Sequence, residues 1–169
     1  MEYIIGQGFG ILATVCCLIG PFGKKKWQML VNSAAANLFV ALNLLFIGEV
    51  SSALIINLVA IVQTGCSICH VCSEKPVKMF ENIIFLIAYV VCGALGYKTF
   101  LDILPIIGAI LFMLLVFQRD EQKTRLINLS NAAVYLLYYL LIGSASALAQ
   151  VASIATTLAA LYHYRKKAV

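Results

Sequence analysis

The stretch LFVALNLLFIGEVSSAL, Leu38 to Leu54, reads as the end of one apolar helix, a glycine stop and a serine-and-alanine entry into the next. Ala133 to Leu148 reads AVYLLYYLLIGSASAL and, with one residue gapped, has the same IG ending and the same kind of entry. Upstream, GILA from Gly10 has a counterpart in GAIL from Gly108, and a basic loop follows each. The two halves therefore read as an internal repeat.

Around these hairpins the chain divides into seven apolar segments: Tyr3 to Gly20, Trp27 to Ile47, Ser51 to Cys72, Met79 to Gly96, Phe100 to Gln118, Gln122 to Ile142 and Ser144 to Tyr164. Pro21 and Gly23 close the first, Gly48 the second and Gly143 the sixth, Pro76 follows the third, and Thr99 to Asp102 resembles a capping box opening the fifth. With 63% hydrophobic residues, 11% charged residues and a mean hydropathy of +0.98, the chain is far more apolar than a soluble protein. A membrane-crossing helix takes roughly 20 residues, so seven consume about 140. That leaves only short connections in a chain of 169. The expectation is an all-α membrane protein with one membrane domain, residues 1–169.

Charge supplies the orientation. Lys24, Lys25 and Lys26, then Lys75 and Lys78, then Arg119, Lys123 and Arg125, then Arg165, Lys166 and Lys167 fill every second gap between the segments; Lys98 alone lies on the other side. Loops retained in the cytoplasm keep such residues, which puts the C-terminus in the cytoplasm and, with seven spans, the N-terminus outside. A secretory signal carries its positive charge before the apolar run, whereas here Lys24 to Lys26 follow it, so the first segment is expected to stay as a span. The net charge of +5 is used up in flanking the membrane and calls for no nucleic acid.

Segments one to three and five to seven would both run from outside to inside, which requires an odd number of spans between them. The fourth segment supplies it. The expected plan is 3+1+3: residues 1–75 and 99–169 as parallel three-helix bundles and 76–98 as an apolar linker helix.

The first helix with QGFGILA, the fifth with LPIIGAI and the two IG hairpins resemble, over nearly the whole chain, the bacterial inner-membrane family typified by YgjV. The resemblance implies a multi-pass protein of the bacterial inner membrane. In architecture rather than in residues, the 3+1+3 plan is similar to SWEET sugar carriers and PQ-loop transporters, whose parallel repeats bracket a midplane site. No Pro-Gln dipeptide occurs here.

Function is carried by polar residues that a bilayer discourages. At about 100° per residue, Asn128, Asn131, Tyr135 and Tyr139 fall on one face of the sixth helix, and Ser146, Gln150, Ser153 and Thr157 on one face of the seventh. Asn32 and Asn43 share a face of the second helix, and Asn57 and Thr64 one of the third. Such groups either hydrogen-bond between helices or line a hydrated cavity, where an amide offers a polar solute both donors and an acceptor. The expected solute contacts are Asn32, Asn43, Asn57, Asn128, Asn131, Tyr135, Gln150, Ser153 and Thr157, while Tyr138 and Tyr139 also fit the interfacial aromatic belt. Pro105, Gly8 and Gly10 are candidate hinges, set against a first-turn proline and a Gly6/Gly10 packing pair.

No acidic, basic or histidine side chain stands near the middle of a predicted span, which disfavours an ion-coupled relay. The sequence reading is therefore an uncoupled facilitator, by alternating access, for a small neutral or zwitterionic polar solute. Its alternative is a non-transporting membrane receptor or interaction protein of the same fold. Cys66, Cys69 and His70 match C-x-x-C-H, and Cys72 extends the spacing, but a haem would be attached on the other side and cysteines climbing a continuous helix diverge, so no metal or cofactor is expected. No nucleophile with a base and no paired carboxylates meet in the core, so no enzyme activity is expected. The expected partners are the lipid bilayer and a small polar solute, and small-residue stripes such as Ala145, Ala149 and Ala152 suit packing between helices or between copies of the chain in a homo-oligomer.

Overall fold

A computed structural model describes residues 2–49, 51–74, 79–118 and 120–165. Lys75, Pro76, Lys78, Arg119, Lys166 and Lys167 lie outside the described residues, so the sequence readings that rest on them receive no structural account. Among the described residues there are seven α-helices and no strand: α1 (Glu2–Ile19), α2 (Lys26–Phe46), α3 (Ser52–Cys72), α4 (Met79–Leu95), α5 (Ile103–Phe117), α6 (Glu121–Leu141) and α7 (Ser146–Arg165). Short 3-10 turns, Gly20–Phe22 and Phe100–Asp102, precede α2 and α5.

Both IG hairpins end in the same way. Gly48 and Gly143 take positive φ, +80° and +67°, a conformation glycine adopts without Cβ penalty. The residue after each glycine then donates its N–H back to the previous turn, Glu49 to Leu44 O at 2.9 Å and Ser144 to Tyr139 O at 3.0 Å. At the entry to α5 the Asp102 carboxylate accepts the Lys98 and Thr99 N–H groups at 2.9 and 2.8 Å. Asp102 also accepts the Ser52 hydroxyl at 2.7 Å, tying this turn to the start of α3.

The helices α1, α2, α3, α5, α6 and α7 pack in that order and close on themselves through α7 and α1. The remaining helix, α4, packs on α3 and α5, covering that seam. Small residues make the closing seam tight: a Cβ on Gly10 would meet the Ala145 Cβ at 3.0 Å. There the Ala145 N–H donates to Gln7 Oε1 at 3.0 Å and the Thr156 hydroxyl to Cys17 O at 3.1 Å.

Polarity is arranged inside out relative to a soluble protein. Asn43, Asn57, Gln63, Thr64, Arg125 and Thr157 are buried, while Ile11, Val62, Ile87, Leu140 and Leu158 are exposed on the outside. Hydrocarbon reverses the usual penalty, so exposed aliphatics are at home and polar groups turn inward to one another. Glu2–Phe22, Lys26–Phe46, Ser52–Cys72 and Phe100–Phe117 are each long and apolar enough to cross a membrane, and α4 contains a shorter apolar helix, Phe80–Leu95. Helices α6 and α7 are less apolar because α6 begins with Glu121, Lys123 and Arg125, and α7 is rich in Ala, Ser and Thr.

Candidate functional site

A cavity of about 110 Å3 opens at the centre of the helix ring. Eight of the nine residues named from the sequence line it: Asn32 from α2, Asn57 from α3, Asn128, Asn131 and Tyr135 from α6, and Gln150, Ser153 and Thr157 from α7. The polar stripes of separate helices thus converge, because each helix turns its least lipid-compatible face toward the ring's centre.

Asn43 is the exception. It is fully buried outside the cavity lining, where its Nδ2 donates to Gly6 O at 2.8 Å and its Oδ1 accepts the Ser144 and Ser146 hydroxyls at 2.7 and 2.8 Å. With three bonds made across helix boundaries, it is a structural clasp rather than a solute contact. Ser146 belongs to the same clasp, and Thr64 spends its hydroxyl on Ala60 O of its own helix at 2.7 Å.

Within the lining, some groups are occupied and others are not. Asn128 Nδ2 donates to Ser153 Oγ at 3.1 Å and to Thr157 Oγ1 at 3.0 Å, joining α6 to α7. Asn57 and Asn32 donate to Ala53 O and Gln28 O one turn back in their own helices, at 2.7 and 3.0 Å. Among the described residues, two amide groups are buried without a partner: Asn131 Oδ1, an acceptor, and Asn37 Nδ2, a donor. Both residues line the cavity. An unpaired buried polar group costs about 1–3 kcal/mol, so an unmatched pair beside an open space is where a ligand would be stabilising.

Tyr139 corrects the aromatic-belt reading. It is only 1% exposed, stacks on Tyr135 with ring centroids 5.7 Å apart, lies beside Asn57, and lines the cavity. Tyr138 is equally buried, with its hydroxyl 3.0 Å from that of Ser51. Gly108 makes room for this cluster, since a Cβ there would come within 2.5 Å of the Tyr135 ring. Of the hinge candidates, Pro105 is buried in the first turn of α5, where its carbonyl accepts the Tyr135 hydroxyl at 3.4 Å. Gly10 is a close-packing position, and Gly8 has nothing within 4 Å of a Cβ.

The reading from sequence missed four contributors. Asn37 stood off the stripe chosen for α2. Tyr89 of α4, the helix expected to offer mainly apolar surface, lines the cavity and donates to Gln63 Oε1 at 2.6 Å. Lys26 and Arg125, taken for loop charges, also line it. Lys26 Nζ donates to Leu115 O at 3.1 Å and to Thr124 Oγ1 at 3.0 Å. Arg125, 3% exposed, reaches Pro21 O and Gly23 O at 3.3 and 3.5 Å, with its guanidinium 4.4 Å above the Tyr164 ring. The signal available was their place within one or two turns of a helix start, where a long side chain folds along the helix rather than into the loop. Cys66, Cys69 and Cys72 are exposed along α3, away from this lining.

A family model described as bacterial inner membrane protein, Imp-YgjV, matches residues 4–168. No curated protein and no solved structure matches the chain. The family match spans every helix of the ring, and with four helices apolar enough to cross a bilayer and aliphatic side chains turned outward it gives the setting in which the buried polar centre makes sense. The chain belongs to the Imp-YgjV family of bacterial inner membrane proteins.

Proposed function

We propose that this protein is a facilitator that moves a small polar solute across the inner membrane through the cavity between two parallel three-helix units. The observation that carries the reading is the pair of partnerless amide groups, Asn131 Oδ1 and Asn37 Nδ2, beside that cavity. They come from α6 and α2, the middle helices of the two units, so a bound solute would contact both halves. All seven helices span, the N-terminus is outside and the C-terminus cytoplasmic.

Packing supports the 3+1+3 plan. The first helix of each unit packs against its own second helix and the third helix of the other: α1 on α2 and α7, α5 on α6 and α3. The linker α4 sits outside one of the two seams so formed. Contacts between the first and third basic stretches, Arg125 with Gly23 and Lys26 with Thr124, bring those stretches to one end of the ring, as a shared cytoplasmic side requires.

The test is binding and flux with the full chain. A panel of sugars, amino acids, nucleosides and organic acids is screened for stabilisation of the purified protein, since a ligand of the native state raises its melting temperature. The double variant Asn37→Leu, Asn131→Leu should fold, lose that stabilisation and lose flux in reconstituted vesicles. Retention of both by the folded variant would refute the assignment.

A further inference from the structure

The two cations at one end of the cavity restrict what can pass. Lys26 and Arg125 are, among the described residues, the only charged side chains in the lining. Among the described residues, no carboxylate lies within 4 Å of either; Glu121 acts on Lys26, and Asp120 on Arg125, only at longer range and from outside the lining. The hydrogen bonds of both cations to Leu115, Thr124, Pro21 and Gly23 go to carbonyls and a hydroxyl, which position the cations without neutralising them. Those bonds engage two of the three Lys26 ammonium hydrogens and two of the five Arg125 donors.

From Arg125 to Asn131 is six residues along α6, a rise of about 9 Å. Beyond the cations the cavity is lined by Asn131 and Asn37, each with one buried amide atom lacking a partner: Asn131 Oδ1, an acceptor, and Asn37 Nδ2, a donor. Because screening by salt is weak in a buried site, a cation about 9 Å from a bound anion is worth roughly tenfold in its affinity, and it opposes a cation equally. Size is limited too: a cavity of roughly 150 Å3 takes up benzene, so about 110 Å3 suits a solute of that size or somewhat smaller.

We infer that the solute is a small hydroxycarboxylate carrying net negative charge, drawn in by Lys26 and Arg125 and held through its hydroxyl and an oxygen by Asn131 and Asn37. This rests on the facilitator reading and changes its solute from neutral or zwitterionic to anionic. The hydroxyl meets the Asn131 acceptor, which an unsubstituted carboxylate would leave unpaired; hydrogen phosphate keeps an O–H donor and is separated by the experiment.

The experiment measures melting of the purified full chain in neutral detergent at constant ionic strength. The probes are glycolate, lactate, acetate, glycolamide, lactamide, glycine, inorganic phosphate and phosphatidylglycerol. Glycolate and lactate should raise the melting temperature by several degrees, acetate less, and the neutral amides and glycine little. Lys26→Met and Arg125→Met should raise the half-saturating lactate concentration at least tenfold; because Arg125 also ties the Gly20–Phe22 turn, Lys26→Met decides if Arg125→Met does not fold. Stabilisation confined to phosphate, or to phosphatidylglycerol, would overturn the carboxylate assignment in favour of a free or lipid phosphate. Equal stabilisation by glycolamide or glycine, lost in Asn131→Leu but not in Lys26→Met, would overturn the charge and leave the facilitator standing. No shift with any probe would count against both.

Discussion

Asn43 and Tyr138 occupy matching places, each five residues before the glycine that ends its helix, and each bonds a serine in the other half's hairpin. Asn43 takes the hydroxyls of Ser144 and Ser146; Tyr138 meets that of Ser51. Asn43→Leu should therefore cost about 2 kcal/mol, from three interhelical bonds at roughly 0.6 kcal/mol each and the buried groups left unpaired. Asn131→Leu, whose oxygen has no partner to lose and whose unpaired burial costs about 1–3 kcal/mol, should leave stability unchanged or raise it. Unfolding of both variants in mixed micelles measures the contrast, and equal losses would mean Asn131 is a packing residue.

Glycine substitutions should separate tight packing from open space. A Cβ on Gly96 would sit 2.5 Å from Ser52 Cα and 2.7 Å from Ser52 N, backbone atoms that cannot rotate away. Gly96→Ala should cost about 2 kcal/mol or more, whereas Gly8→Ala, with nothing within 4 Å, should be neutral or stabilising by about 0.5–1 kcal/mol. If Gly8→Ala also leaves flux unchanged, Gly8 is no hinge.

The connection between α5 and α6 should show an acid-dependent contribution. Asp120 caps α6, and the Lys123 and Gln122 N–H groups, at 3.1 and 2.8 Å, hold its carboxyl below its ordinary value of 3.8. A carboxyl lowered on folding stabilises above its unfolded value and loses that contribution as pH falls through the lowered folded one. The wild type should lose melting temperature below about pH 4 more steeply than Asp120→Asn. Parallel curves would remove Asp120 from the account.

Flux should respond to voltage and not to ion gradients. An uncoupled anion carries charge, and 100 mV corresponds to about 2.3 kcal/mol per charge, roughly a fiftyfold accumulation at equilibrium. Lactate uptake into vesicles made inside-positive with potassium and valinomycin should approach that ratio, while imposed proton or sodium gradients leave it unchanged. Accumulation driven by protons would show coupling instead.

Orientation is open to labelling. Cys72 is the last residue of α3 and exposed, so in a variant retaining only that cysteine an impermeant maleimide should react in inverted vesicles and not in right-side-out ones. The reverse pattern would invert the topology.

Helices and their ends were legible in the sequence because the bilayer enforces them: apolar length, Gly48 and Gly143 as stops, and Asp102 at an entry determine where backbone groups find partners. The stripes were legible for the same reason, since helical period alone brought Asn128, Asn131, Gln150 and Thr157 to one cavity. Asn43 failed because a shared face says which way a side chain points and not which neighbour meets it there. Lys26 and Arg125 failed because charge near a helix end reads as a loop, while burial depends on how α6 leans against the turn at Pro21. Tyr89 needed knowledge of what α4 covers, which no local pattern contains.

The closing seam, with Gln7 bonded to Ala145 and Cys17 to Thr156, has a consequence for biosynthesis. Residues nearly a full chain length apart complete it, so during synthesis α1 enters the bilayer long before α7 is made. Until then lipid or the insertion machinery must shield the face around Gly10. The cavity comes into being only as the last helix arrives, which makes the barrier to leakage one of the final features the ribosome delivers.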